Sequence, residues 1–99
     1  MNKSLIFLCS VLICAFSFHT VIAQESQSDR SFRYAERLYE DALYDVAAEQ
    51  YQLYLDEYPR GSHRPDAALN LGKSLFEVGQ FDEARKAFQQ VDLDYPGTP

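Results

Sequence analysis

Proton transfer, metal binding and nucleophilic attack need His, Cys or paired carboxylates within reach of one another. Beyond residue 23 the 99-residue chain has one histidine, His63, and no cysteine, because Cys9, Cys14 and His19 all come earlier. His/Cys metal sets and Cys–His nucleophiles therefore cannot be assembled there. Carboxylates are plentiful, and Glu40-Asp41 and Asp56-Glu57 are formally acid and base pairs. Adjacent side chains on a helix point about 100° apart, however, so these pairs read as solvated surface. Asp92-Leu93-Asp94 ahead of Gly97 has the opening of a calcium loop but none of its later ligands, and reads as an acidic helix end. Gly61, Gly72, Gly79 and Gly97 are dispersed, so no loop of glycines cradles a phosphate. No catalytic residue, metal or cofactor is expected.

The elements that carry these residues make up one small domain at most. The chain is 46% hydrophobic and 24% charged, with nine Lys and Arg against fifteen Asp and Glu, a net charge of -6. Eleven aromatics follow residue 23, and they lie among acids rather than bases. Nucleic acid is excluded as a partner on both counts.

Residues 1–23 have the layout of a secretory signal peptide: Lys3, an apolar run from Leu5 to Phe18, then Val21-Ile22-Ala23 before polar Gln24. Val21 and Ala23 suit the −3 and −1 pockets of signal peptidase, which places cleavage after Ala23. The competing reading is an uncleaved anchor, since Leu5 to Ala23 approaches the ~20 residues that span a bilayer. Ser10, Ser17, His19 and Thr20 weaken that reading. Cys9 and Cys14 follow Leu8 and Ile13 rather than a small residue, which speaks against lipidation. The expected product is extracytoplasmic, periplasmic or otherwise exported, with no membrane span left after cleavage.

Residues 24–30 lack any apolar period and read as a flexible tether or a frayed helix start. Beyond them the chain repeats itself. Tyr44, Asp45, Ala47, Tyr51, Gln52, Tyr58 and Pro59 recur 37 residues later as Phe81, Asp82, Ala84, Phe88, Gln89, Tyr95 and Pro96. Each unit carries two apolar stripes of helical period. In the first, Phe32, Ala35, Leu38, Tyr39 and Ala42 precede Ala47, Tyr51, Tyr54, Leu55 and Tyr58. In the second, Ala68, Leu71, Leu75 and Val78 precede Ala84, Phe88, Val91 and Tyr95. First-turn Asp45 and Asp82, an early Pro65, a terminal Gly79 and helix-stopping Pro59 and Pro96 bound the helices. The spacing predicts helices near 30–43, 45–58, 65–78 and 81–94. The fold class is all-α: two tandem antiparallel helical hairpins, repeat 1 at 31–61, an insertion at 62–64, and repeat 2 at 65–99 with the start of a third.

These residues resemble the tetratricopeptide repeat family, an α-solenoid of helical hairpins. Ala68, Leu71, Gly72, Leu75, Ala84, Phe88, Val91 and Pro96 stand on its consensus places, as do Ser31, Tyr34, Ala35, Leu38, Ala47, Tyr51, Tyr54 and Pro59. The insertion Ser62-His63-Arg64 lengthens the family's usual unit. Tyr58-Pro59-Arg60-Gly61-Ser62 followed by Pro65-Asp66-Ala67-Ala68 resembles the family's exported bacterial envelope members, of the Tol-Pal cell-division coordinator and outer-membrane-assembly lipoprotein type. Repeat-packing roles fall to Ala35, Leu38, Ala47, Tyr51, Pro59, Leu71, Gly72, Ala84, Phe88 and Pro96. The small residues let helix axes approach to about 8 to 10 Å.

The resemblance implies that first helices line a concave groove for an extended peptide or a helix of an envelope protein. Phe32, Glu36, Tyr39 and Glu40 are its candidates from repeat 1. Leu69, Asn70, Lys73, Phe76 and Glu77 are those from repeat 2. Some members clamp a carboxylate with Lys and Asn on this face. Here only Asn70 matches, and Phe32 and Glu36 hold the other places, so no clamp is expected. The expected function is a scaffold that binds envelope proteins and does no chemistry. The alternative is the N-terminal docking segment of a longer exported enzyme or sensor. A two-repeat stack should also leave an apolar edge, with self-association through Phe88 and Val91.

Overall fold

The computed structural model describes residues 25–97, so the expected signal peptide at 1–23, Gln24 and the last two residues lie outside the described part. Four α-helices of 14 residues each follow one another: α1 Gln27–Glu40, α2 Tyr44–Glu57, α3 Arg64–Glu77 and α4 Phe81–Asp94. Each packs mainly on the next in sequence, giving two antiparallel hairpins joined through α2 and α3. Among the described residues there is no strand.

Helix α1 starts three residues earlier than its apolar stripe suggests, so Gln27–Arg30 is helix and not tether. Ser26 explains it: its Oγ accepts a hydrogen bond from the Asp29 amide at 3.1 Å, satisfying one of the first-turn donors. Asp45 and Asp82 lie in the first turns of α2 and α4, where acids favour the helix dipole. Both hairpin turns share one geometry. The amides of Ala42 and Leu43 donate to the carbonyls of Tyr39 and Leu38, and those of Gly79 and Gln80 to Phe76 and Leu75. That pairing requires a left-handed residue just past the helix. Gly79 takes it at φ +85°, and Ala42 takes it at φ +60° despite its Cβ.

The core sits where α1, α2 and the start of α3 meet. Ala35, Ala47 and Ala67 are fully buried and allow the close crossings, while Tyr51 and Tyr54 fill the space between them. In the second hairpin Ala84 is buried in the same way. Gly72 is buried against Phe88, and a Cβ there would come within 2.6 Å of the ring. The packing roles of Ala35, Ala47, Tyr51, Gly72, Ala84 and Phe88 thus follow from contact or burial. Leu38 is half-buried against the core. Pro59 and Pro96 are exposed and serve as stops rather than packing residues.

Candidate protein-docking surfaces

Two surfaces flank α3. On the first-helix side the polar groups converge on Glu36. Its Oε1 accepts from the Tyr51 hydroxyl at 2.5 Å and from Asn70 Nδ2 at 2.7 Å, tying α1 to α2 and to α3. Burial together with this carboxylate holds the Tyr51 phenol protonated, well above its ordinary range. Tyr39 is also raised, first by burial and then by the nearby Tyr44, Glu77 and Glu36. Glu36 and Asn70 are therefore spent within the fold, and they set how the two first helices lie. Ser74 is buried and donates to the Asn70 carbonyl at 2.7 Å, so no polar side chain is left stranded beneath them.

Phe32 is a correction. Assigned to the groove, it is 9% exposed and packs on Tyr51 and Tyr54. The insertion covers it: the His63 ring stacks on Phe32 with centroids 4.4 Å apart and planes 6° from parallel. His63 Nε2 lies 3.0 Å from Asp29 Oδ1, and the His63 amide donates to the Tyr54 hydroxyl at 2.9 Å. The Asp29 carboxyl is lowered, chiefly by Ser26, against a smaller cost of burial, with His63 helping. Arg64 completes the lock by donating to the carbonyls of Leu55 at 2.7 Å and Tyr58 at 2.9 Å, which closes the end of α2. A His–Asp pair can orient a general base. Here it lies flat on a phenyl ring and fastens α1 to the inter-repeat loop.

What remains exposed on the first-helix side is aromatic. Phe76 is 54% and Phe81 59% exposed, and they meet edge-on at 5.1 Å. Tyr39 and Tyr44 form the same kind of pair at 5.3 Å, 37 residues earlier. Lys73 and Glu77 are exposed near Phe76, and Leu69 is half-buried one turn before Lys73. Of the groove candidates, Tyr39, Leu69, Lys73 and Phe76 therefore present surface, whereas Phe32 does not. Phe81 and Tyr44 were missed as surface aromatics, although their place five residues beyond Phe76 and Tyr39 in both units was the available signal.

On the other side of α3, Leu71 packs against the core as expected, but the stripe Ala68, Leu71, Leu75 and Val78 is not fully covered. It floors a cleft between α2 and α4, with Leu71 and Leu75 half-buried and Val78 38% exposed. Val91, assigned to an exposed apolar edge, is 7% exposed within its own chain, whereas Leu93 near the end of α4 projects at 75%. Among the described residues no three His, Cys, Asp or Glu converge as a metal site would require, and no helix is long and apolar enough to cross a membrane.

No curated protein matches the chain. A family does match, over residues 66–98, which take in nearly all of α3 and the whole of α4. The first hairpin lies outside that match, but it repeats the left-handed turn, the edge-on aromatic pair and the buried alanine at 37-residue offsets. Over 66–98 the chain is similar to the tetratricopeptide repeat, a module that generally mediates protein–protein contact and is typically a non-catalytic scaffold.

Proposed function

We propose that the chain is an exported helical-repeat scaffold that binds other proteins of the bacterial cell envelope, in the periplasm or at the outer membrane, and performs no chemistry of its own. The observation that carries the binding reading is the exposed Phe76–Phe81 pair beside Lys73. Large aromatics of low side-chain entropy are typical anchors at protein interfaces. The partner class is an extended peptide or helix whose apolar residues meet Phe76 and whose basic flanks meet Glu77 and the acidic surface. The pattern of residues 1–23 supports export, and the 58–68 phrase supports the likeness to envelope proteins of the coordinator and assembly-lipoprotein type.

A photo-cross-linking residue placed at position 76 in expressing cells tests the surface. Defined protein adducts are expected there and not at the exposed control position Gln89. Equal capture at both positions would end the assignment. Mass spectrometry of the same material tests export: the mature chain should begin at Gln24 or within a residue or two, and a chain found only at full length would refute cleavage.

A further inference from the structure

Arg64, Ala68, Leu71, Leu75 and Val78 follow one another along α3 at spacings of four, three, four and three residues. This is the seam by which one helix packs along another. Here α2 and α4 stand on either side of it without closing over it, leaving a cleft of about 1030 Å³. Ala48, Gln52 and Leu55 of α2 form one wall, and Ala87 and Gln90 of α4 the other. The seam runs for four helical turns, about 21 Å at 1.5 Å per residue. Lys73 lies opposite this seam, about 200° round the helix from both Leu71 and Leu75, and Phe76 lies about 120° from the seam's centre.

The chemistry of the cleft selects its occupant. Its walls and floor are helices, whose backbone amides and carbonyls are bonded internally. An extended peptide would find no ladder there for its own backbone, whereas a helix brings its hydrogen bonds with it. The rim is acidic: Asp45, Glu49 and Glu83 stand at one end and Asp56 and Asp94 at the other, against Lys86 and Arg64. The Arg64 guanidinium is turned onto the Leu55 and Tyr58 carbonyls. A second copy of this chain, with its net charge of -6, would bring carboxylates to carboxylates.

We propose that the cleft between α2 and α4 is a second docking site, separate from the aromatic face, and that it takes an amphipathic helix of about four turns with an apolar stripe flanked by Lys and Arg. The leucine floor receives the stripe and the five rim carboxylates receive the cations. Affinity for such a helix falls with salt, because the rim is solvent-exposed.

The test uses the full chain and three labelled synthetic peptides of about 18 residues. One has Leu at alternating spacings of three and four with Lys on its flanks, the second replaces every Lys with Glu, and the third is a scramble of the first. Fluorescence anisotropy should show the cationic peptide binding at least tenfold more tightly than the other two, with a gain of helicity in circular dichroism. Glu49→Lys/Glu83→Lys, at two exposed positions, should reverse the preference between the cationic and acidic peptides while the far-ultraviolet spectrum stays unchanged. A photo-cross-linker at position 52 should capture the cationic peptide, and one at position 76 should not. Equal binding of the three peptides, no change of preference in the charge-swapped variant, or capture at 76 alone would each overturn the proposal. So would a dimer in sedimentation equilibrium that must dissociate before the peptide binds, or binding that appears only after residues 1–23 are removed. Capture at 76 alone would leave the aromatic-face reading standing, which separates the failure of one from that of the other.

Discussion

Replacing Ala42 with Gly should stabilise the protein, and Gly79→Ala should destabilise it by a similar amount. Both residues are the left-handed position of the same turn, 37 residues apart, at φ +60° and +85°. An L-residue held there suffers contact between its Cβ and the following carbonyl, costing about 1–2 kcal/mol. Glycine removes that cost but loses about 0.4–1 kcal/mol more unfolded-chain entropy on folding. The difference leaves Ala42→Gly ahead by about 0.5–1 kcal/mol, or about 3–6 °C in Tm for a domain of roughly 75 residues. Gly79→Ala isolates the same term, because a Cβ built there meets nothing within 4 Å and so brings no clash. Thermal and urea melts followed by far-ultraviolet circular dichroism measure both variants, with an unchanged urea m-value as the control on the unfolded state. An Ala42→Gly melt at or below the wild type, or a Gly79→Ala protein as stable as the wild type, would refute the assignment of backbone strain to this turn.

Tyr51→Phe removes the hydroxyl that donates to Glu36 and should cost about 1.5–3 kcal/mol in urea melts, the range for a hydrogen bond to a charged group. The Tyr51 phenol is raised in the folded state, so its contribution is complete below about pH 10 and is lost as pH rises past the unfolded phenol value; the variant should lack that part of the alkaline decline. Gly72→Ala places a Cβ 2.6 Å from Phe88 and should cost about 1–3 kcal/mol, and adding Phe88→Leu should recover part of the loss in a double-mutant cycle. The Asp29 carboxyl is lowered on folding, so its contribution is present above about pH 4 and lost as pH falls; Asp29→Asn should flatten the acid limb of the stability profile measured by urea melts.

The helices were legible because two independent signals agreed: apolar stripes of period 3.6 and a 37-residue self-match that fixed their register. The start of α1 was not read from apolar periodicity, because Gln27–Arg30 is polar. The signal lay in Ser26 and Asp29, a cap and its first-turn acid. Phe32 stands on a consensus groove place, yet a ring 31 residues away covers it, and no local pattern announces a contact of that span. Ala68, Leu71, Leu75 and Val78 of the seam were visible as apolar residues, but whether they are covered depends on how far apart α2 and α4 stand. That distance is set by the packing of Phe88 on Gly72 and of Ala47 and Ala67 in the core, and not by the seam itself.

A stack of repeats draws stability from terms inside each unit and terms between neighbours. In this chain the two kinds are written differently. Inside the hairpins the devices recur: the left-handed turn at 42 and 79, the aromatic pair at 39/44 and 76/81, the buried alanine at 47 and 84. Between them nothing recurs. Leu69 stands where Phe32 would repeat and Lys73 where Glu36 would, and His63 and Arg64 come from the insertion that belongs to neither stripe. The joint is thus made by the Phe32–His63–Asp29 stack, the Glu36–Asn70 bond and the Arg64 closure of α2. Residues of the joint set how one hairpin lies against the other, and with the packing of Phe88 on Gly72 they set the width of the α2–α4 cleft and the spacing of Tyr39 from Phe76. The shape of the two docking surfaces is therefore held largely from beneath, with Arg64 serving both the joint and the lining of the cleft.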